Sequence, residues 1–187
     1  MDGSTLSNLS KSESSAASTR VVDIIIPVYS GLAEVRACLE SVLSSSSDSQ
    51  GEVIVINDCS PEPAIDRFLK GLERESRITL LENDENLGFV KSCNRAADLR
   101  PDNDFVLLNA DTEVHGNWLD RLVAHGATAG DIASITPFSN NATIASYPRG
   151  GVRREAPEDI RVAQIDEAMS IANALSLIHI SEPTRPY

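Results

Sequence analysis

Basic residues are scarce in this chain. Lys and Arg together number 16 against 28 Asp and Glu, which leaves a net charge of −12. That balance argues against a nucleic-acid partner, because neutralising a phosphate backbone takes clustered Lys and Arg. A small anionic ligand would have to be held by a metal ion or by local backbone amides, since the overall field repels it. Long apolar runs are missing as well. No stretch reaches the roughly 18 residues of a transmembrane helix, and the first twenty residues lack the apolar centre of a signal peptide. Cysteine is sparse: Cys38, Cys59 and Cys93 are odd in number, widely spaced and form no CxxC pair. They read as buried or incidental thiols in a reducing compartment, hence a cytoplasmic location, at most peripheral at the inner face of a membrane. Two nucleotide motifs are also absent. No GxGxxG follows the first apolar segment and no GxxxxGK[ST] occurs anywhere, so the dinucleotide-binding and P-loop classes lose their main support.

What is present is an alternation. At 187 residues and 41% hydrophobic the chain is long enough for one domain with a core, or for a piece of something larger. Residues 1–20, "MDGSTLSNLSKSESSAASTR", are Ser-rich and almost without apolar content, and are expected to be disordered. From Val21 the pattern changes. "VVDIIIPV" is a short continuous apolar run, as in a strand buried on both faces. Leu32, Val35, Leu39, Val42 and Leu43 follow at helical spacing. "EVIVIN" predicts a second strand, and Ser60 and Pro61 a helix cap and first turn ahead of Ile65, Phe68, Leu69 and Leu72. "RITLLEN" predicts a third strand, Phe89 to Leu99 a helix closed by Pro101, and "DFVLLN" a fourth, fully buried strand. A helix through "WLDRLVAHGA", a fifth strand at "DIASITPF" and a last helix with Ile160, Ala163, Ile165 and Met169 complete the expectation. The fold class is therefore α/β with a mostly parallel sheet flanked by helices, over residues 21–174.

In such sheets ligands bind at the carboxyl ends of the strands. That rule selects Pro27 to Ser30, Asn57 to Ser60, Asn83 to Gly88 and Asn109 to Glu113, most of them polar. Asp58 can accept hydrogen bonds from ribose hydroxyls or a base N–H, though "NDCSP" is equally good turn or cap chemistry. In "ENLGFVKSCN" Gly88 lets backbone approach closely, the following helix offers free N–H groups to a diphosphate, and Lys91 lies one turn in. In "DFVLLNADTEVHG" an apolar segment runs straight into acceptor oxygens at Asn109, Asp111 and Glu113, with no Gly before Gly116. Mg2+ and Mn2+ take such hard oxygen ligands, one or two carboxylates plus substrate phosphates, and Asp111 is the best single candidate.

Together, "VDIIIPVYSGLAEVRACLESVL", "VIVINDCSPE", "ENLGFVKSCNRAA" and "FVLLNADTEVHGNWLDRL" resemble the family 2 glycosyltransferases, in the family's order and spacing over about Val21 to Pro148. The resemblance implies a GT-A, Rossmann-like fold and an inverting transfer of sugar from a nucleoside-diphosphate donor, UDP- or dTDP-linked, to a glycan or lipid-linked acceptor. It places Pro27, Val28 and Tyr29 against the nucleoside, Asp58 on base or ribose, and Asn86, Gly88 and Lys91 near the diphosphate. The family's D-x-D metal motif falls on Asn109-Ala110-Asp111, where Asn replaces the first Asp. On this pattern Asp111 binds the Mg2+ or Mn2+, and Asn109 hydrogen-bonds a ribose or a water. The catalytic base belongs to the family's second half, and no motif for it is found in this chain.

"LSLIHISEPTRPY", Leu175 to Tyr187, does not continue the preceding helical pattern. It resembles read-through translation of a sequencing-library adaptor, so residues 175–187 are expected to be an artefact and residues 21–174 a truncated donor-binding region. Two rival readings remain: a nucleotide-binding module without catalysis, and a nucleotidyltransferase of related fold. The latter normally has a Gly-rich, Arg- or Lys-bearing loop after the first strand, which "PVYSGLAE" lacks.

Overall fold

The structure, a computed structural model, describes residues 21–130 and 132–137, together with Gln164, Glu167, Ala168 and Ile171, which are helical. The Ser-rich segment, most of the expected last helix and the tail at 175–187 lie outside the described residues.

Strands and helices alternate as β1 (Val22–Val28), α1 (Leu32–Ser44), β2 (Gln50–Asn57), α2 (Pro63–Arg74), β3 (Thr79–Glu82), α3 (Phe89–Ala97), β4 (Asp104–Leu107) and α4 (Trp118–Gly126). All strand pairings are parallel and the order is β3-β2-β1-β4. β1 is buried on both faces, as its continuous apolar run predicts. Ile24, Ile26 and Val28 meet α1, α2 and α4 on one side, while Ile25 joins Ile54 and Ile56 of β2 under Cys93 and Ala96 of α3 on the other. Helix α1 buries Val35, Cys38, Leu39 and Val42, a single stripe at helical spacing.

Three expectations are corrected. Helix α2 does not begin at Ser60 and Pro61: its cap is Glu62 and Pro63 holds the first position. Pro63 drives the residue before it into extended backbone (Glu62 φ −98°, ψ 102°), so the helix cannot start earlier. Second, β4 is not fully buried. It ends at Leu107, and Phe105 (48% exposed) and Leu107 (45%) lie on a face that α3 leaves uncovered, because α3 packs over β1 and β2. Third, residues 132–137 form no strand. Ile135 lies instead against the end of α4, 3.6 Å from where a Cβ on Gly126 would stand, and Pro137 has no N–H to give a ladder.

At the amino ends of the strands a polar clamp ties the sheet together. Asp23, only 2% exposed, accepts hydrogen bonds from Glu52 N–H (2.8 Å) and Asn103 Nδ2 (2.9 Å) and pairs with Arg100 (3.2 Å). Gly51 leaves room for it, since a Cβ there would come within 2.2 Å of an Asp23 oxygen.

Candidate active site

The strand order creates the site. From β1 the chain steps outward to β2 and β3 across the face that carries α1 and α2. It then returns through α3, over the opposite face, to lay β4 on the other side of β1. The connections leaving β1 and β4 therefore diverge, and a crevice opens beyond the carboxyl ends of these two strands. A cleft of about 390 Å3 lies there. The β1 exit contributes Pro27 and Tyr29, the start of α1 Gly31 and Glu34, the start of α3 Phe89, and the β4 exit Asn109 and Asp111. The structure thus brings Pro27, Tyr29, Asn109 and Asp111 together.

The other sequence-selected residues do not line this cleft. Val28 is fully buried, and its carbonyl accepts the Asp58 N–H (2.8 Å). Asp58 is 4% exposed and turned inward. One carboxylate oxygen accepts from Asn83 Nδ2 (2.7 Å) and Leu87 N–H (2.8 Å), and the other from Gly88 N–H (2.9 Å), so the side chain fastens the loop ahead of α3. Burial pushes its carboxyl up, but the donors on Asn83, Leu87, Gly88 and Ser92 outweigh it and hold the group below the ordinary carboxylate range. Asn86 is exposed and accepts from the same Gly88 N–H (2.9 Å). Gly88 has φ 79°, a left-handed conformation that suits glycine. With its own N–H taken, the groups that precede the helical ladder are the N–H of Phe89, Val90 and Lys91, since the first helical bond is Ser92 N–H to Gly88 O (3.1 Å). Lys91 is exposed.

Helix α1 underlies the β4 exit. Cys38 Sγ donates to the Asn109 carbonyl (3.6 Å), and Ser41 Oγ accepts the Val114 N–H (3.0 Å) while donating to Cys38 O (2.8 Å). Burial pushes the Cys38 thiol up to about 11; the Thr112 backbone opposes this, and the nearby Asp111 and Glu113 carboxylates add to it. The thiol therefore stays protonated and able to donate. The backbone at Asn109 is fixed from below while the Asn109 and Asp111 side chains stay exposed. Glu34, Phe89, Cys38 and Ser41 are the residues that sequence reasoning missed. Only Phe89 carried a local signal, as the residue between the loop glycine and the helix.

A carboxylate at Asp111 and an amide oxygen at Asn109 are hard donors of the kind a divalent cation takes. Among the described residues no three His, Cys, Asp or Glu side chains cluster closely enough to hold an ion by themselves. The donor set fits a cation that draws its remaining oxygens from a ligand, not one caged by protein.

The four-stranded parallel sheet flanked by helices, with this crevice at its reversal point, is assigned to the GT-A fold by its likeness to solved glycosyltransferases. Among solved structures it is similar to GalNAc-T7 with UDP, GalNAc and Mn2+ (TM-score 0.52, 18% identity, 59% of this chain and 22% of that one). It is also similar to TarS of S. aureus (TM-score 0.51, 15% identity, 75% and 24%). Among curated proteins it is 24% identical over 160 residues to the glycosyltransferase AglE of Haloferax volcanii, covering 85% of this chain and 51% of AglE. A glycosyltransferase of Haemophilus influenzae is 36% identical over 77 residues, 41% of this chain and 24% of that one. The model of the family "Glycosyl transferase family 2" matches residues 23–171. The chain belongs to glycosyl transferase family 2. It spans about half the length of AglE and less of the other relative.

Proposed function

We propose that this domain binds a nucleoside-diphosphate sugar, UDP- or dTDP-linked, in the cleft, as the donor half of an inverting glycosyltransferase acting on a glycan or lipid-linked acceptor. The observation that carries the reading is the meeting of the β1 exit, Pro27 and Tyr29, with the β4 exit, Asn109 and Asp111, in one crevice. Crystals of the fold neighbour GalNAc-T7 contained UDP, GalNAc and Mn2+, which supports the same ligand class here.

On this reading Pro27 and Tyr29 face the nucleoside, and the buried Val28 anchors the backbone that carries Tyr29. Asp58 serves the site by holding Leu87 and Gly88 in place, while Asn86, Gly88 and Lys91, which the family resemblance puts near the diphosphate, lie outside the cleft lining. Asp111 and Asn109 hold Mg2+ or Mn2+ jointly with the diphosphate. A cation held there would supply positive charge to the leaving diphosphate. The chain's own residues hold the donor in the crevice, with the anomeric carbon toward the acceptor side. Transfer is assigned to the whole enzyme, whose base removes the acceptor hydroxyl's proton as it attacks. Residues 175–187 are assigned to an adaptor, and the gene read through Ala174 tests that directly. Calorimetry of UDP and dTDP with Mn2+ and with EDTA tests the binding. Tight binding that depends on the cation is expected. Failure of both nucleotides to bind a folded chain would remove the proposal.

A further inference from the structure

We infer that Phe89 is a ligand-contacting residue, which together with Tyr29 forms the aromatic walls that hold the nucleobase. The inference rests on the nucleotide reading of the cleft and adds a residue to it. Aromatic residues make up only 4% of the chain, and among the described residues most have a structural use or lie elsewhere. Phe68 lies beneath the Arg36 guanidinium (4.4 Å), Trp118 is buried, and Phe105 stands on the uncovered face of β4. Tyr29 and Phe89 remain. They are 46% and 48% exposed, and both line the same cleft.

Each ring is mounted on fixed backbone. Tyr29 directly follows Val28, whose side chain is wholly inside the core. Phe89 is the first residue of α3 and follows Gly88, whose N–H is held by Asp58 and whose left-handed backbone sets the direction of entry. Phe89 enters from the α3 face of the sheet, whereas Gly31 and Glu34 belong to the α1 face. The cleft therefore has an aromatic part, Tyr29 and Phe89 with Pro27, and an oxygen-rich part, Asn109 and Asp111. Those two parts match the two ends of a nucleoside diphosphate: a flat base with two apolar faces, and a phosphate chain that brings a cation. Rings stack on a base with a gain beyond apolar burial and with little preference among bases. The pair accordingly accounts for affinity toward the base and not for a choice between uracil and thymine. It also gives the buried Asp58 a use, since releasing Gly88 would release Phe89.

The test is calorimetry of UDP on the full chain, with Mn2+ and with EDTA, for the wild type, Phe89→Ala, Phe89→Leu, Phe89→Trp and Asp111→Ala. Phe89→Ala is expected to weaken UDP roughly tenfold whether or not Mn2+ is present. Phe89→Trp keeps a ring and should stay within about threefold of the wild type, while Phe89→Leu, apolar but without a ring, should fall with the alanine variant. Asp111→Ala should instead remove the effect of Mn2+. A wild type that binds UDP, beside Ala and Leu variants that bind it equally well, overturns the inference and leaves the nucleotide site standing. A folded wild type that binds neither UDP nor dTDP overturns both. Should the alanine variant not fold, equal affinity of the Leu and Trp variants is the overturning result.

Discussion

Asp58 and Asp111 each stand just beyond a strand, at the same edge of the same sheet, and they have opposite fates. Asp58 is 4% exposed and receives Asn83 Nδ2, Leu87 N–H and Gly88 N–H. Asp111 is exposed in the cleft, and no described residue gives its carboxylate a hydrogen bond or an ion pair. Both satisfy the rule that polar residues after a strand mark a site. The difference lies in the neighbours: Asp58 faces the loop ahead of α3, whereas Asp111 follows β4, an outer strand among the described residues, and is exposed. A carboxylate whose donors are all internal builds the site, and one left open at the crevice is available to a ligand.

Substitutions can break this contrast. The largest effect is expected from Asp111→Ala, which should abolish the Mn2+-dependent part of UDP binding in calorimetry. Its melting temperature should hardly move, because an exposed substitution usually stays within about 0.5 kcal/mol. A variant that keeps metal-dependent binding would remove Asp111 from the ligand set. Asp58→Ala should do the reverse, lowering stability by about 2–3 kcal/mol in urea unfolding because buried donors lose a charged acceptor. UDP binding should weaken with it, and unaltered stability would mean that the loop holds without the carboxylate.

The same carboxylate makes an acid signature. Its folded pKa lies below the unfolded value of about 3.9, so its contribution is present above that value and is lost as pH falls through the lower folded one. Urea midpoints followed into acid should drop less steeply for Asp58→Asn than for the wild type; parallel curves would refute the assignment. The smallest effect is expected from Ser41→Ala, which strips Val114 N–H of its acceptor at a cost of about 1 kcal/mol. It should also raise the Mn2+ concentration needed for half-maximal UDP binding, since the loop bearing Asp111 loses a tether. An unchanged metal requirement would limit Ser41 to a stabilising part.

Much of the fold was legible because burial on both faces writes a continuous apolar run. "DIIIPV" and "VIVIN" could hardly be anything but central strands. "DFVLL" carries the same signal and misleads, because whether a strand is central depends on which strand pairs beside it, and that is a fact of topology. The start of α2 was obscured by two prolines, of which the second controls its predecessor's backbone. At the site, Pro27, Tyr29, Asn109 and Asp111 were legible from the strand ends alone. The support from α1 was not, since Cys38 and Ser41 meet their partners 71 and 73 residues away. Asp58 was legible as important and illegible in direction, because its donors come from a loop whose path no local pattern fixes.

The three thiols differ in a way that an experimenter can use. Cys38 and Cys93 are sealed in the core, and burial pushes both thiols up, whereas Cys59 is exposed. Cys59 sits immediately after Asp58 in a left-handed turn (φ 54°), with its sulfur 3.7 Å from the Asp84 carbonyl. A maleimide dye offered to the native chain should therefore attach once, at that position, and a single adduct by mass spectrometry would establish it. The fold thus carries its own labelling address beside the loop that leads into α3, where an environment-sensitive dye would test the proposed nucleotide binding without any engineered cysteine.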